Sequence, residues 1–355
     1  MLSSAGGIIY AIIALSFLIF FHELGHFIAA HIFKVRVEVF SIGFGKKIFK
    51  KVWGGTEYCL SAIPLGGYVQ MKGQNDLNPN ERSGDEDSYN TKAPWQRVII
   101  LFAGPLANFI LAFFIYMWIS FLIAPLAPQI GSFSENSTAK AAGLQVNDTI
   151  KSINGAEINI WQDIRKAINE SQNELDVIFL RDGELFSVRF APAIGEEMNM
   201  FEEIVPVKLI GVTPSGAQLQ GYYIGLKGVK YAWDEVVFAS TLTVQSLKKL
   251  IIGDVSPKKL GGIIAIVDIS ADAAKTGLAV FLAIVAIISV NLGILNLLPI
   301  PALDGGHIMF TLYEMIFRRA PNEKAFYYMT ITGWVFLMSL IVFTIYNDIA
   351  RIITN

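Results

Sequence analysis

His22-Glu23-Leu24-Gly25-His26 has the residue types and spacing to hold a metal and use it. Helical residues four apart share a face, so both imidazoles can reach one ion while Glu23 points beside it. Zinc accepts neutral imidazoles, and a catalytic zinc site keeps one position open for water. Glu23 is then placed to take a proton from that water. Three polar residues near a helix end would give the same short pattern without chemistry, but the setting argues against this. Residues 5–33 are otherwise apolar and long enough to cross a bilayer, and an ionisable group inside a span costs on the order of 3 kcal/mol. His22 lies about 16 residues into the stretch, or ~24 Å along a helix axis, which puts the pair inside the membrane.

The composition fits that setting. Of 355 residues, 53% are hydrophobic and 16% charged, against roughly 25% charged in soluble domains. The net charge of −2 gives no reason to expect a nucleic acid partner. Cys59 is the single cysteine, which excludes an internal disulfide and a cysteine zinc site; it reads as an ordinary small residue. Four stretches are long enough to span: 5–33, 97–124, 277–300 and 327–346. The first has no basic n-region and is too long for a cleavable leader. Lys34, Arg36, Lys46, Lys47, Lys50 and Lys51 follow it, so the 34–96 loop is expected in the cytoplasm and both termini outside. Arg318, Arg319 and Lys324 mark a second cytoplasmic loop. Residues 236–247, with about 12 uncharged positions, are too short to span and suit a helix at the interface.

A third ligand must come from elsewhere. The third span ends in Asn291-Leu-Gly-Ile-Leu-Asn296-Leu-Leu-Pro299-Ile-Pro301-Ala-Leu-Asp304-Gly305-Gly306-His307. Spans one and three both exit into the cytoplasm, so His26 and Asp304 fall on the same side at similar depth. That parity selects Asp304 over a plain Asp-Gly-Gly turn. His307 lies further on and reads as a neighbour of the site or as loop. His31, one turn past His26, reads as structural. Pro299 and Pro301 cannot continue a helix, and irregular backbone at membrane depth must be buried in protein or line a watery cavity.

HELGH in a first span, the Gly43-Phe44-Gly45 turn and Asn296-Leu-Leu-Pro-Ile-Pro-Ala-Leu-Asp-Gly-Gly306 together resemble the site-2 proteases, and within them the bacterial regulator of sigma-E protease type. The resemblance covers nearly the whole chain, including Ser256-Pro-Lys-Lys-Leu-Gly-Gly262. It implies one zinc per chain on His22, His26 and Asp304, with Glu23 as the base. It also implies that Asn296, Pro299, Pro301 and Asn291 hold substrate. In two respects the sequence departs from that type: the insert has room for one PDZ domain instead of two, and Gly262-Ile263 stands where the type has Gly-Pro.

The expected fold is a polytopic α-helical membrane protein with four transmembrane helices, one inserted α+β PDZ-like domain and a membrane-associated β-hairpin loop. Residues 1–128 hold the first two spans and the β-loop, 129–213 the external PDZ-like domain, 214–276 an amphipathic linker and 277–355 the last two spans. Within the insert, 177–180 and 185–190 flank Arg181-Asp-Gly183 as a hairpin, Trp161 to Asn169 has helical spacing, and Leu209-Ile-Gly-Val212 is a candidate carboxylate-binding loop. Such a domain binds an extended peptide by strand addition, or only excludes bulky substrates. Glu57 to Lys72 reads as two short strands around Pro64-Leu-Gly-Gly67. In the family a comparable loop offers backbone partners to an unwound substrate, which points to Gly66 and Gly67. Residues 74–91 are polar and expected to be mobile.

The implied activity is zinc-dependent cleavage of single-span membrane proteins, such as an anti-sigma factor or signal-peptide remnants, in a bacterial inner membrane. The partners are then those substrates and the lipid bilayer. A metal-binding transporter is the rival from another class. It would offer repeats or a polar path across the whole membrane, whereas here the ionisable groups cluster at one side.

Overall fold

The computed structural model describes residues 5–74, 83–199, 201, 203–319 and 322–354. In chain order the elements are α1 (Ala5–Ile32), β1 (Val37–Trp53), β2 (Thr56–Met71), α2 (Pro94–Leu122), β3 (Ile130–Phe133), α3 (Thr138–Ala141), β4 (Thr149–Ile153), β5 (Ala156–Glu157), α4 (Trp161–Glu170), β6 (Leu175–Arg181), β7 (Glu184–Phe190), β8 (Ala193–Met198), β9 (Ile204–Leu209), β10 (Val212–Pro214), α5 (Leu226–Ile252), α6 (Ile263–Thr276), α7 (Leu278–Asn296), α8 (Asp304–Phe317) and α9 (Glu323–Thr354). The chain divides into two compact units. One joins residues up to Ile119 with those from Val229 onward, and the other is Ser120–Gly228.

Among the described residues, four helices are long and apolar enough to cross a membrane: Ile9–Ile32, Pro94–Leu122, Leu278–Asn296 and Lys324–Ile353. They have few charges to signal their packing, so small residues do that work. A methyl group on Gly25 of α1 would lie 2.2 Å from the Ala103 carbonyl oxygen of α2. The two backbones therefore approach as closely as small residues allow, which is how apolar helices associate without a hydrophobic driving force. A buried cluster of Ala29, Ala30, Val35, Val37, Ile100 and Leu101 joins the ends of α1 and α2 to the start of the β-hairpin.

The expected turn is present, and the hairpin has a second one. Residues 57–60 and 67–70 flank 39–42 and run in opposite directions, so the chain doubles back between them across Pro64-Leu-Gly-Gly67. A further reversal at Gly54-Gly55, both with positive φ, joins 47–53 to 56–61. Two adjacent glycines meet that backbone demand cheaply. Residues 39–42 are paired on both sides, with 67–70 running antiparallel and with 57–60 running in step. The result is a small folded sheet in which 67–71 forms one edge and 47–53 the other. Phe40 packs against Phe20 and Phe27 and so seats the sheet on α1.

Residues 75–82 of the expected mobile segment lie outside the described residues, but 83–91 is built in. Lys72 pairs with Asp85 and Asp87, each at 2.7 Å, and Tyr89 N–H donates to the Lys72 carbonyl. The 214–276 region is also more ordered than a linker. It holds α5, one continuous helix of 27 residues, and a second helix, α6, whose amino end is capped by Asp348 of α9 through the N–H groups of Gly262, Ile264 and Ala265.

In the second unit, α4 and the four-stranded sheet β5-β4-β6-β7 close over a core that includes Ile150, Ile153, Ile164, Leu175, Val177 and Phe179. Buried Asp148 takes two bonds from Arg181, both at 2.7 Å. The sequence predicts an α+β PDZ-like domain here; among the described residues no closed PDZ-like sheet is found. β3 pairs with β10, and β8 pairs with β9, as separate two-stranded ladders. The β8–β9 hairpin went unread in the sequence because Glu196, Glu197 and the residues around its turn break the apolar alternation that marks a strand.

Candidate metal centre

Two turns of α1 before its end, His22 and His26 are both buried and point the same way. Their Nε2 atoms are 3.2 Å apart. Asp304, the first residue of α8, brings Oδ2 to 3.2 Å from His22 Nε2 and 3.4 Å from His26 Nε2. Among the described residues this is the one group of three metal-ligating side chains whose donor atoms converge.

The groups around these atoms decide what they can bind. His26 Nδ1 is 2.8 Å from the Ile100 carbonyl, so Nδ1 carries the proton and Nε2 presents a lone pair. His22 Nδ1 lies 2.9 Å from the Asn108 amide. Asn108 is fully buried and its Oδ1 has no partner. With the amide turned end for end, Oδ1 accepts from His22 Nδ1–H and both groups are satisfied. Asp304 Oδ2 is also buried without a hydrogen bond. Two imidazole lone pairs facing a carboxylate oxygen repel one another unless a cation sits among them. The donor set, two nitrogens and one oxygen in an open arrangement, is that of a catalytic zinc site. Each imidazole is oriented through its other nitrogen, as metal-binding histidines usually are. The residues present therefore fit zinc.

Shape supports the same reading. A methyl group on Gly104 of α2 would fall 2.2 Å from His26 Nε2, so only glycine leaves room for the ring. α8 can start where it does because Gly305 and Gly306 pass against the Leu297, Leu298 and Ile300 carbonyls; methyl groups there would meet them at 2.3 Å. The irregular chain from Leu297 to Leu303, carrying the two prolines, turns sharply to deliver Asp304.

A cleft of about 670 Å³ opens on these residues. Glu23 lies in its wall and takes a backbone hydrogen bond from Val69. The 67–71 edge of the hairpin passes directly over it: a methyl group on Gly67 would be 3.4 Å from Glu23 Cγ and 2.8 Å from the Ser41 carbonyl. Gly66, Gly67, Asn296 and His307 also line the cleft, and Asn296 Nδ2 is 3.5 Å from His22 Nε2. Asn291, Pro299 and Pro301 are not brought to it. Asn291 is held by the Thr243 hydroxyl of α5, and Pro301 backs onto Gly333 of α9. His31 bonds back to the Phe27 carbonyl.

The sequence reading missed Asn108, Gly104 and Gly25. A lone amide inside an apolar span was the available signal for Asn108. The glycines carried none beyond their type.

The comparison with known proteins agrees with this geometry. The profile of Peptidase family M50 matches residues 10–340. The chain belongs to that family. A protein named as a zinc metalloprotease from Campylobacter jejuni is 49% identical over 343 residues, covering 96% of this chain and 93% of its own. Another of that name from Helicobacter pylori is 39% identical, covering 97% and 99%. A third, from Vibrio cholerae, is 32% identical over 96% of this chain and 98% of its own. That alignment spans 444 positions against the 355 residues here, so the V. cholerae relative carries inserted residues that this chain lacks. As an M50 protein with a converged His-His-Asp cluster, the chain is a zinc endopeptidase of the intramembrane, site-2 protease class.

Proposed function

We propose that this enzyme, of the regulator of sigma-E protease type, cleaves single-span membrane proteins within or beside the bilayer, with anti-sigma factors and signal-peptide remnants as the substrate classes. The observation that carries this reading is the unpaired strand edge at 67–71 lying over Glu23 in a cleft that also holds the His22, His26 and Asp304 donors. A helical substrate hides its own peptide bonds. An edge strand gives an unwound segment new backbone partners and sets its scissile bond above the donors by strand addition.

His22, His26 and Asp304 would hold one zinc per chain, and the ion supplies Lewis-acid polarisation of the scissile carbonyl. Glu23 takes the proton from the attacking water and returns it to the leaving amine. Asn108 and the Ile100 carbonyl keep the two imidazoles in the tautomer that leaves Nε2 free. Gly66, Gly67 and Asn296 contact the substrate backbone; Pro299 and Pro301 act indirectly, by shaping the turn that carries Asp304. Asn291 joins the substrate path only when Thr243 releases it.

The lysine-rich loop after α1 supports a cytoplasmic position for the 34–96 segment, with both termini and the 129–213 region on the other side of a bacterial inner membrane. In this reading the 129–213 region is a PDZ-like module that screens substrates by bulk or by peptide binding. Glu23→Gln should retain zinc and lose cleavage by 100-fold or more, in the range of general acid-base contributions. The same variant should trap membrane proteins identifiable by mass spectrometry. Full activity of Glu23→Gln would remove Glu23 as the base. Trapping only of soluble proteins would remove the substrate class.

A further inference from the structure

The outer half of the hairpin serves neither the cleft nor the core. Residues 46–55 are exposed without a break. They run Lys46-Lys47-Ile48-Phe49-Lys50-Lys51-Val52-Trp53-Gly54-Gly55 and are held by the ladder to 56–61. Ile48, Phe49, Val52 and Trp53 are 63–74% exposed. A register shift separates Lys47 from Phe49. Beyond it strand side chains alternate between faces, so one face carries Phe49, Lys51 and Trp53 and the other Lys50 and Val52. Neither face is dry and neither is fully polar.

Lysines alone would be explained as protection of an edge strand against pairing with another chain. The apolar side chains are not explained that way, because protection removes apolar surface. A purely lipid-facing strand is excluded as well, since its unpaired N–H and C=O groups would be stranded in hydrocarbon. The alternation suits the headgroup level, where apolar side chains enter the acyl boundary and ammonium groups reach back to phosphates. Charge selects among headgroups. Residues 44–63 carry four lysines and one acidic residue, Glu57, a net charge of +3. Glu57 pairs with Lys47. Among the described residues, Lys46, Lys50 and Lys51 have no salt-bridge partner.

We propose that the 46–55 edge of the hairpin is a docking surface for anionic phospholipid headgroups. Lys46, Lys50 and Lys51 bind the phosphates, and Ile48, Phe49, Val52 and Trp53 enter the leaflet beside them. The opposite edge of the same sheet lines the cleft, so lipid charge sets the depth at which that edge is held.

The test uses the full chain in nanodiscs of phosphatidylcholine, alone or mixed with phosphatidylglycerol. A spin label is placed at Val52→Cys in a Cys59→Ser background, and its depth is read from oxygen against polar-nickel accessibility. Cleavage is not the readout, so failure here is separable from failure of the proposed function. The label should move deeper as phosphatidylglycerol is added. In Lys46→Gln/Lys50→Gln/Lys51→Gln the anionic fraction needed for half of that change should rise at least tenfold, since surface charges contribute roughly fivefold each. The matching Lys→Arg variant should behave as wild type, which separates charge from misfolding. Equal label depth in the two lipids, or an unaffected Gln variant, overturns the proposal. So does a Gln variant that loses a protein partner while its label depth stays lipid-independent.

Discussion

α1 and α2 are apolar helices of nearly equal length, 28 and 29 residues, and they contribute to the centre in opposite ways. α1 supplies His22, Glu23 and His26. α2 supplies no ligand, yet it holds both imidazoles, one through the Asn108 amide and one through the Ile100 carbonyl, and Gly104 makes room for the second. Arg97, in the first turn of α2, also reaches Glu314 of α8 at 2.7 Å, and α8 begins at the third donor. The ligands are thus on one helix and on α8, while the frame that fixes their spacing is on another. A metal site needs both, because donors free to rotate forfeit the alignment that gives affinity.

If α2 is the frame, filling the gap it leaves should do the most damage. Gly104→Ala is expected to weaken zinc binding by 100-fold or more and to remove activity, because the added methyl falls on His26 Nε2 and neither helix backbone can retreat. Metal content of the purified protein, with circular dichroism to check the helices, measures this. Full zinc occupancy in Gly104→Ala would mean that α1 and α2 are not in such close contact.

The second effect tests orientation instead of space. Asn108→Ala should lower zinc affinity or activity by about 10- to 100-fold, the usual cost of losing a partner behind a metal-binding histidine. Asn108→Asp, which keeps an acceptor, should fall less. Equal losses would show that the amide serves only to pack the interior.

The contrast between the helices also explains what the sequence could reveal. α1 was legible because histidine and glutamate are rare in a span and their spacing maps onto one helix face. Asp304 followed from counting spans, which needs no contacts. α2's part was hidden, since a carbonyl has no sequence signature and Gly104 looks like any small residue in a membrane helix. The hairpin was half legible. Its two strands around Pro64-Leu-Gly-Gly67 were visible as alternation, but the further reversal at Gly54-Gly55 and the 47–53 strand it adds were not. The PDZ-like expectation for the second unit rested on turns and a central hairpin, which are present. Closure would need a ladder joining β3–β10 or β8–β9 to the four-stranded sheet, and such long-range pairing is not fixed by local pattern.

A smaller effect should come from the far end of the frame. Arg97 and Glu314 are partly buried, so their pairing is worth more than a surface pair yet less than a fully buried one. Arg97→Glu and Glu314→Arg should each reduce zinc retention modestly, by about 1–2 kcal/mol or roughly tenfold. The double exchange should recover most of it. Recovery distinguishes a brace between α2 and α8 from two unrelated losses of packing. If the exchange is no better than either single variant, α8 is held by its other contacts, such as Ile308 against the cluster at the ends of α1 and α2.

The mildest change should be at Ser289 of α7, whose buried hydroxyl donates to the Asn108 carbonyl at 2.9 Å. This bond touches the backbone of the residue that orients His22, but not its amide. Inside a helix that carbonyl already accepts from the N–H four residues on, so removing the hydroxyl leaves no buried acceptor stranded. Ser289→Ala should therefore cost about 1 kcal/mol of stability, the net worth of one hydrogen bond. Zinc affinity should stay within about twofold of wild type, less than one hydrogen bond's worth. Thermal unfolding in detergent and a zinc titration on the same preparation read the two quantities separately. A loss of affinity as large as that of Asn108→Ala would relocate the frame. α2 would then be only as rigid as α7 makes it, and the division of labour between α1 and α2 would extend to a third helix.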